Sequence, residues 1–400
     1  MNEIQVAIIG CGKIADQHAQ QIRRVHGSRL VGVCDSERLM ADQLAERFQV
    51  DGSFDNVDRL LKTARPDVVH ITTPPQSHFE LARKCLEAGC HVYVEKPFSI
   101  NAQEAHAMVA LAMERGLKIT AGHNIQFSSE MIRMRELVRK GALGGAPVHI
   151  ESVFSYGLGD ASYVKALLGD EKHWVRALPG KLLHNVISHG IAKIAEFVDS
   201  TEITVVAHGF TSPKLRSIGE TNILDELRVI ISDDRKLTAY FTFTTQIAPL
   251  LHEFRLFGPS GAVMVDISHR TVVHVNRSNS EFKGCLNFMV PPGGLAQQYA
   301  RNMCTNVARF AKAELHMDAG IKNLIEAFYR SIQFGGPVPI PYREILLTAA
   351  IMDEIFRQLY PIERTTSIKP EANRLAVAMS KEAIVKSAKP GFIDCGIRGV

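Results

Sequence analysis

The fold of this chain is decided by Gly10-Cys11-Gly12-Lys13-Ile14-Ala15, which follows a strand-like run at Gln5–Ile9 and opens a helical apolar pattern over Ala15–Val25. The pattern predicts a strand, a tight turn and a helix. The first glycine permits the turn, the second lets a pyrophosphate approach the backbone, and the helix N-terminus favours its charge. We therefore predict that a dinucleotide binds at Gly10, Cys11, Gly12, Lys13 and Ile14.

A second apolar run, Leu30–Cys34, closes on Asp35. At the end of a second strand, a carboxylate can accept hydrogen bonds from both hydroxyls of an adenosine ribose and repels a 2′-phosphate. The sequence thus favours NAD over NADP as the cofactor, although Arg38 is near enough to soften the preference. The structural alternative for Asp35 is the N-cap of the next helix, a role that Ser36 could also fill.

Strands and helices alternate through the first third of the chain. The further predicted strands are Val68–Thr72, His91–Val94 and Leu117–Ala121, and the further predicted helices are Arg38–Phe48, Gln76–Ala88 and Ala102–Arg115. This alternation indicates parallel strands joined by right-handed crossovers. We predict an α/β fold with a doubly wound Rossmann sheet over residues 1–122.

The pattern changes after Gly122. A helix is predicted at Glu130–Lys140, and β-rich runs follow at Val148–Phe154, Ile203–Phe210, Glu226–Ile231, Leu237–Thr245 and Glu253–Phe257. These runs favour a large, open, mainly antiparallel sheet in an α+β domain for substrate binding and oligomerisation over residues 123–360. Residues 361–400, with a helical pattern near Glu371–Lys386, are a C-terminal extension that could be an oligomer arm or a mobile tail.

Composition excludes several classes of protein. Of the 400 residues, 46% are hydrophobic and 22% are charged, which is typical of globular proteins. The formal net charge of +4 is interspersed with acidic residues, so we expect no nucleic-acid partner. No apolar run approaches the ~20 residues that span a bilayer, and we expect no membrane partner. The seven cysteines form no Cys-x-x-Cys pair, which favours reduced thiols, a cytoplasmic location and no metal site.

Two polar segments follow later strands of the predicted sheet. Thr73-Pro74, with His78, comes after one strand, and Glu95-Lys96 comes after the next. In an open α/β sheet, ligands bind outside the carboxyl ends of the strands, where both segments should lie. The Lys96 ammonium could polarise or protonate a substrate oxygen near the nicotinamide, with Glu95 beside it. An ordinary surface ion pair is the structural alternative.

Together these motifs resemble the glucose-fructose oxidoreductase/inositol dehydrogenase/rhizopine catabolism family (Gfo/Idh/MocA). The similar positions, within residues 4–360, are Gly10-x-Gly12-x-x-Ala15, Asp35, Pro66-Asp67-Val68-Val69, Thr73-Pro74-Pro75-x-x-His78, Glu95-Lys96-Pro97, Gly122-His123-Asn124, Gly141-Ala142-Leu143-Gly144 and Phe257-Gly258-Pro259-Ser260-Gly261. The resemblance implies a Rossmann domain, a C-terminal domain whose open sheet supports oligomer contacts, and hydride transfer on sugars, cyclitols or related alcohols. It implies that Lys96 is catalytic or polarises the substrate. It also implies cofactor or active-site wall positions at Thr73, Pro74, His78, Glu95, Lys96 and Asn124.

The resemblance further implies an aspartate and a histidine four residues apart, after a Gly-Gly pair. Asn185 and His189 stand at these positions, while Lys181 replaces the second glycine and Ala192 replaces a further aspartate. His189 is the candidate general acid or base, since imidazole titrates near neutral pH. Asn185 can orient a ring by hydrogen bonding but cannot stabilise an imidazolium by charge.

Helical spacing determines which side chains accompany His189. Asn185, His189 and Lys193 recur at i, i+4 and i+8 and so share one face of a helix. His184, five residues before His189, points elsewhere.

A nearby segment, His173-Trp174-Val175-Arg176, contains the only tryptophan of the chain. Arg176 could clamp a carboxylate or phosphate. Trp174 could stack on a sugar ring or pack in the core. The candidate substrate-binding residues are Lys96, Trp174, Arg176, Asn185 and His189.

The sequence thus predicts an NAD(P)-dependent oxidoreductase acting on a hydroxyl or keto carbon of a sugar, nucleotide sugar or cyclitol. We expect a homodimer or a homotetramer. One alternative is a non-catalytic dinucleotide-binding regulatory protein, suggested by the departures around His189. Another is a redox-neutral, NAD-dependent enzyme that processes glycosides. The pocket shape depends on Tyr156–Tyr163 and Asn287–Gln298, whose folding the sequence does not reveal.

Overall fold

A computed structural model describes residues 3–158, 167–200, 202–235, 237–276, 289–312 and 319–360. Within these ranges the chain forms two sheets. The C-terminal extension, with its predicted helix near Glu371–Lys386, lies outside the described residues. Residues 159–163 and 287–288, from the two segments expected to shape the pocket, also lie outside them.

The first sheet has six parallel strands in the order β3-β2-β1-β4-β5-β6. The strands are β1 (Ile4–Ile9), β2 (Ser28–Cys34), β3 (Ser53–Phe54), β4 (Val68–Ile71), β5 (His91–Val94) and β6 (Ile119–Ala121). The helices between them are α1 (Lys13–Ile22), α2 (Arg38–Phe48), α3 (Val57–Ala64), α4 (His78–Glu87) and α5 (Ala102–Glu114). The predicted doubly wound Rossmann sheet is confirmed, and its strand order reverses between β1 and β4, where such sheets bind ligands.

The local sequence explains these elements. All four residues of β4 are buried, because helices cover both faces of a parallel sheet. Asn56 and Asn101 cap α3 and α5 by accepting hydrogen bonds from the backbone N–H groups of Arg59 and Glu104. Helix α4 begins at His78, two residues later than predicted, because Pro75–Ser77 forms a 3₁₀ turn.

The second sheet has seven strands in the order β13-β12-β11-β7-β10-β9-β8. The strands are β7 (His149–Ser155), β8 (Ile203–Phe210), β9 (Glu226–Asp233), β10 (Thr238–Thr244), β11 (His252–Phe257), β12 (Gly261–Asp266) and β13 (Thr271–Asn276). The helices that follow β6 in the chain are α6 (Ser129–Arg139), α7 (Lys181–Ala195), α8 (Pro213–Ser217), α9 (Val290–Ala311), α10 (Ala319–Phe334) and α11 (Tyr342–Leu359). Strands β7 and β10 run parallel and the other neighbours run antiparallel, so the prediction of a mainly antiparallel sheet is confirmed.

Helix α7 packs closely on the inner face of this sheet. A side chain at Gly190 would come within 2.2 Å of the Phe241 ring, so glycine is needed for the approach. The Ser152 hydroxyl on β7 donates a hydrogen bond to the Gly190 carbonyl at 3.4 Å. These contacts set the position of the helix that carries Asn185 and His189.

The last two helices, α10 and α11, together contact the cores of both sheets. Phe328 and Tyr329 of α10 are buried in the core of the first sheet, although the sequence placed their segment in the second domain. Helix α11 buries Ile355 and Phe356 in the core of the second sheet, and its Asp353 accepts a hydrogen bond from the N–H of Ala102 at the start of α5. The chain therefore returns to the first sheet after crossing the second.

Candidate active site

The glycine turn connects β1 to α1 and leaves space at the helix N-terminus. Gly10 has a φ of +94°, and a side chain there would come within 2.8 Å of the Thr73 nitrogen. A side chain at Gly12, by contrast, would meet nothing within 4 Å. The first N–H groups of a helix have no intrahelical partner. The open space beside Gly12 therefore fits the pyrophosphate of a dinucleotide.

The other predicted members of the turn have different surroundings. Lys13 is exposed and Ile14 is partly buried. Cys11 is buried, and its N–H donates a hydrogen bond to Asp35 Oδ2 at 2.7 Å. Burial raises the pKa of the Cys11 thiol to about 12, with Asp35 adding to the effect. Cys11 thus shapes the turn through its backbone.

Asp35 lies at the carboxyl end of β2, as predicted. It also has a structural role as an acceptor of backbone hydrogen bonds. Besides the Cys11 bond, its Oδ1 accepts a hydrogen bond from the N–H of Glu37 at 2.9 Å, just before α2. A carboxylate has about four acceptor sites, so capacity remains for ribose hydroxyls. Arg38 is paired with Asp42 at 2.9 Å.

The loops after β4 and β5 are joined by a buried imidazole. His78 Nε2 lies 2.8 Å from the carbonyl oxygen of Thr73, and its Nδ1 lies 3.0 Å from that of Pro97. Burial lowers the pKa of His78, although the two carbonyls act in the opposite direction. His78 therefore holds together the two predicted segments, while Pro74 is exposed beside them.

Lys96 reaches across the crevice to the second domain. Its Nζ donates a hydrogen bond to the backbone carbonyl of Asn185 on α7 at 3.2 Å. Burial lowers the pKa of Lys96, and the charge of Glu95 acts in the opposite direction. The surface ion pair considered as an alternative is therefore not what the structure contains, because Lys96 is half-buried and bonded to another domain.

Glu95 is buried and begins a chain of hydrogen bonds that runs under the first sheet. Its Oε1 lies 2.9 Å from His18 Nε2. His18 Nδ1 lies 2.8 Å from His70 Nδ1, and His70 Nε2 lies 2.8 Å from the Tyr329 hydroxyl. The His70 ring also stacks on Tyr93, with 4.6 Å between ring centroids. We name the residues Glu95, His18, His70 and Tyr329 the buried relay.

The charge of Glu95 determines the direction of the first hydrogen bond in the buried relay. Burial raises the pKa of Glu95, but the hydrogen bond from His18 and the charge and backbone N–H of Lys96 outweigh it, and the pKa lies below its ordinary value. An ionised carboxylate can only accept, so His18 donates to Glu95. The relay thus holds Glu95 ionised beside Lys96.

His189 lies on α7, one helical turn beyond Asn185. Its Nδ1 is buried without a hydrogen-bond partner among the described residues, and its ring centroid is 6.3 Å from that of His123. Burial lowers the pKa of His189 well below its ordinary value, and the charges of Lys96, His123, His252 and Lys193 lower it further. The neutral form of His189 is therefore favoured, and a neutral imidazole has one ring nitrogen that can accept a hydrogen bond.

The sequence named Lys96 and His189 as candidates but did not single out two histidines near them. His123 follows β6, and burial lowers its pKa to about 4. His252 begins β11, and burial lowers its pKa to about 3. The position of His123 after a strand was a usable signal. No local sequence pattern pointed to His252, because its approach to α7 depends on the packing of the second sheet.

The remaining candidates lie around the crevice with varied partners. The backbone carbonyl of Trp174 accepts a hydrogen bond from Gln76 Nε2 at 2.8 Å, which joins this segment to the loop after β4. Arg176 forms an ion pair with Glu220 at 2.7 Å, which gives the guanidinium a structural partner. Asn124 begins a 3₁₀ turn after β6. His184 is turned away from His189, as predicted, and lies near the carbonyl of Ser99 at 3.2 Å.

Among the residues that the structure describes, no group of three or more His, Cys, Asp or Glu side chains could hold a metal ion. None of the helices in the described ranges is long and apolar enough to cross a membrane.

Comparisons with known proteins identify the first domain. Residues 4–123 match the model of the Gfo/Idh/MocA family, described as an oxidoreductase family with an NAD-binding Rossmann fold. D-glucoside 3-dehydrogenase of Escherichia coli K12 is 35% identical over 142 residues, which are 35% of this chain and 40% of that protein. UDP-N-acetylglucosamine 3-dehydrogenase of Acidithiobacillus ferrooxidans is 33% identical over 152 residues, 38% of this chain and 45% of that protein. The matched stretch spans less than half the length of these relatives.

Solved structures extend the likeness of fold to both domains. The WlbA dehydrogenase of Bordetella pertussis, in complex with NADH and UDP-GlcNAcA, aligns with a TM-score of 0.70 and 16% identity over 89% of this chain and 95% of that one. An oxidoreductase of Agrobacterium radiobacter, in complex with NAD⁺, L-tartaric acid and magnesium, aligns with a TM-score of 0.68 and 14% identity over 90% of this chain and 97% of that one. The family resemblance inferred from the motifs is confirmed over residues 4–123, and the solved structures show likeness of fold alone.

Proposed function

We propose that this chain, a member of the Gfo/Idh/MocA oxidoreductase family through its first domain, is an NAD-dependent dehydrogenase of sugar-like alcohols. The observation that carries the proposal is the hydrogen bond from Lys96 Nζ to the carbonyl of Asn185. It brings the lysine at the end of β5 within one helical turn of His189, at the carboxyl edge of the parallel sheet. Two groups that can handle a proton thus face the crevice in which such sheets bind their ligands.

The residues of the first domain fit an NAD molecule. The space beside Gly12 and the N-terminus of α1 would hold the pyrophosphate, and Asp35 would accept hydrogen bonds from the ribose hydroxyls. When bound, the nicotinamide ring would take up the hydride that leaves the substrate carbon as its carbonyl group forms. Asp35 disfavours a 2′-phosphate, which supports NAD as the cofactor.

Lys96 and His189 would handle the substrate oxygen. The Lys96 ammonium would donate a hydrogen bond to this oxygen and stabilise the negative charge that develops on it. His189, which its surroundings keep neutral, would accept the hydroxyl proton at a ring nitrogen. In the reverse direction the same proton would return to the alcohol oxygen.

A turnover assay tests the proposal. The protein is mixed with NAD⁺ and a panel of aldoses, sugar acids, sugar phosphates, nucleotide sugars and cyclitols, and the absorbance of reduced nicotinamide is followed. We expect reduction with at least one class. NAD binding without turnover of any panel member would instead support a non-catalytic role. Conversion of a glycoside without net reduced nicotinamide would support the redox-neutral alternative.

We also propose a homo-oligomer that uses the open face of the second sheet. Val206, Ile230 and Tyr240 lie directly opposite one another on β8, β9 and β10 and are 56%, 49% and 49% exposed. A contiguous apolar row of this kind is typical of an interaction surface, and a second copy of the chain would cover it. Light scattering should give a dimer or tetramer mass, and Ile230→Lys should reduce it. An unchanged mass would exclude this face.

A cytoplasmic location is supported by the cysteines. Among the described residues, Cys11, Cys34, Cys85 and Cys90 are buried free thiols, and Cys304 is an exposed free thiol. Reduced thiols of this kind persist in reducing compartments. Titration of the freshly purified, unfolded chain with a thiol reagent should count seven free thiols, and a lower count would argue for an oxidising compartment.

A further inference from the structure

Basic side chains surround His189. The strongest charge effects on its pKa come from Lys96, His123, His252 and Lys193, and each of them lowers it. Asn185, one turn earlier on α7, supplies an amide side chain where a carboxylate would have supplied a countercharge. A negative charge beside His189 would therefore interact favourably with several basic side chains at once.

Lys193 is the most unusual of these bases. It is 2% exposed, and its Nζ lies 5.3 Å from the centroid of the Phe254 ring. Among the described residues it has no hydrogen-bond or ion-pair partner. A buried lysine is normally paired, because an isolated buried charge is costly. Burial accordingly lowers its pKa to about 7.

His252 approaches the same place from the second sheet. Its ring packs against Phe154 with 4.1 Å between centroids, and the charge of Lys193 reinforces the effect of burial on its pKa. Lys193 acts on both His252 and His189. His252 and Phe254 are two positions apart on β11 and so share one face of that strand, and Lys193 Nζ lies over the Phe254 ring. Lys193 and His252 therefore approach one region, and Lys193 shares a face of α7 with His189.

The nearby carboxylates are already engaged. Glu95 accepts hydrogen bonds from His18 and from the backbone N–H of Lys96. Asp266 acts on His252 but lies 2.6 Å from His269, with which it forms an ion pair. Neither carboxylate is among the causes of the lowered pKa of Lys193. The charge that would balance this lysine must come from elsewhere.

We propose that the substrate carries an anionic group, a carboxylate or a phosphate ester, which binds among Lys193, His189 and His252. This inference rests on the proposed dehydrogenase function and names its substrate class. The anion would give Lys193 a charged hydrogen-bond partner. It would also favour protonation of Lys193 and His189, so binding near pH 7 would take up protons.

The experiment compares glucose, glucuronate and glucose 6-phosphate as matched probes. Binding of each to the NADH-loaded protein is measured by calorimetry in two buffers of different ionisation enthalpy, which reports proton uptake. The value of kcat/KM with NAD⁺ is measured in parallel. We expect at least one acidic probe to bind with proton uptake and to exceed glucose at least ~10-fold in affinity. The relative affinities of glucuronate and glucose 6-phosphate distinguish a site for a carboxylate from a site for a phosphate ester.

Variants test the assignment of the site. Lys193→Met keeps the length and apolar stem of the side chain, so the fold should persist, and the preference for the acidic probe over glucose should fall at least ~10-fold. His252→Gln should reduce the preference for the acidic probe over glucose by a smaller factor than Lys193→Met does. Lys84→Met, which changes a surface lysine of α4, should leave it unchanged.

The outcomes separate the two proposals. Equal binding of glucose and both acids, or a preference that survives Lys193→Met, would overturn the anionic-substrate inference and leave the dehydrogenase proposal standing. Lack of binding by both acidic probes at about 10 mM would also overturn it. Binding of an acidic probe with proton uptake, but no turnover of any sugar, would retain the anion site and count against the dehydrogenase.

Discussion

The two sides of the crevice differ in how the buried relay of the first sheet and helix α7 beside the second sheet treat their buried polar groups. In the buried relay, both ring nitrogens of His18 and of His70 have hydrogen-bond partners. On α7, Nδ1 of His184, Nδ1 of His189 and Oγ of Ser188 are buried without partners among the described residues.

This difference distinguishes a preorganised part of the site from a part that has unpaired buried groups. A satisfied buried network is rigid, because each member fixes the orientation of the next. The buried relay therefore holds Glu95, which in turn accepts a hydrogen bond from the backbone N–H of Lys96. Unsatisfied buried groups are costly unless a ligand or water completes them. Under the proposed function, the substrate would complete the unpaired atoms of α7.

The largest expected effect comes from breaking the satisfied side at His18. His18→Leu leaves the Glu95 carboxylate buried without its imidazole donor, and a buried charge left without its partner costs about 3–5 kcal/mol. Urea unfolding at pH 7 should show this loss. His26→Leu, at an exposed histidine, should change the free energy of unfolding by less than about 0.5 kcal/mol. Equal stability of the two variants would mean that the buried relay is not what stabilises Glu95.

Acid unfolding of the same variant sharpens the test. The pKa of Glu95 is lowered in the folded protein, so its ionised form contributes stability above the unfolded pKa, and this contribution is lost as the pH falls through the folded pKa. Without the His18 donor the folded pKa rises. The acid unfolding midpoint of His18→Leu should therefore lie at a higher pH than that of the parent chain, and a midpoint at the same or a lower pH would contradict this reasoning.

The next effect concerns the group that bridges the two sides. Lys96→Ala should lower turnover at least ~100-fold, about 2.7 kcal/mol of transition-state stabilisation, while NAD still binds. Steady-state kinetics and a cofactor titration measure the two quantities. Lys84→Ala provides a surface lysine as the control. Unchanged turnover of Lys96→Ala would remove this lysine from the reaction.

A matched pair of glycine variants separates folding from binding within the turn. Gly10→Ala forces a methyl group to within 2.8 Å of the Thr73 nitrogen at a φ of +94°, which should cost about 1–3 kcal/mol of unfolding free energy. Gly12→Ala points its methyl into the open space beside α1, so stability should hold while NAD affinity falls ~10-fold. The reverse pattern would mean that the pyrophosphate lies elsewhere.

The smallest effect concerns the cofactor preference. Asp35→Asn keeps one side-chain oxygen for the backbone but removes the charge that repels a 2′-phosphate. The ratio of NAD to NADP affinity should fall ~10-fold. Fluorescence titration with both reduced cofactors measures it, and Asp58→Asn serves as an exposed control on α3. An unchanged ratio would assign the preference to another residue.

Much of the first side could be predicted from local sequence. The glycine turn, Asp35 and the segment around Lys96 all follow strands, and parallel strands bring their carboxyl ends to one edge. The buried relay could not be found in this way, because His18 and Glu95 are 77 positions apart, and His70 and Tyr329 are 259 apart. No periodicity reports contacts over such distances. The turned-away position of His184 was predicted because helical geometry is local.

The sequence by itself determined the elements, the parallel sheet and the edge at which its loops gather, since apolar spacing and turn residues act over a few positions. It also placed Asn185, His189 and Lys193 on one helical face. Only the tertiary structure decided that Lys96 reaches the Asn185 carbonyl, that His252 joins His189 and Lys193, and that Tyr329 completes the relay. These contacts depend on the packing of α7 and α10 against distant strands, which buries the side chains and sets their charges.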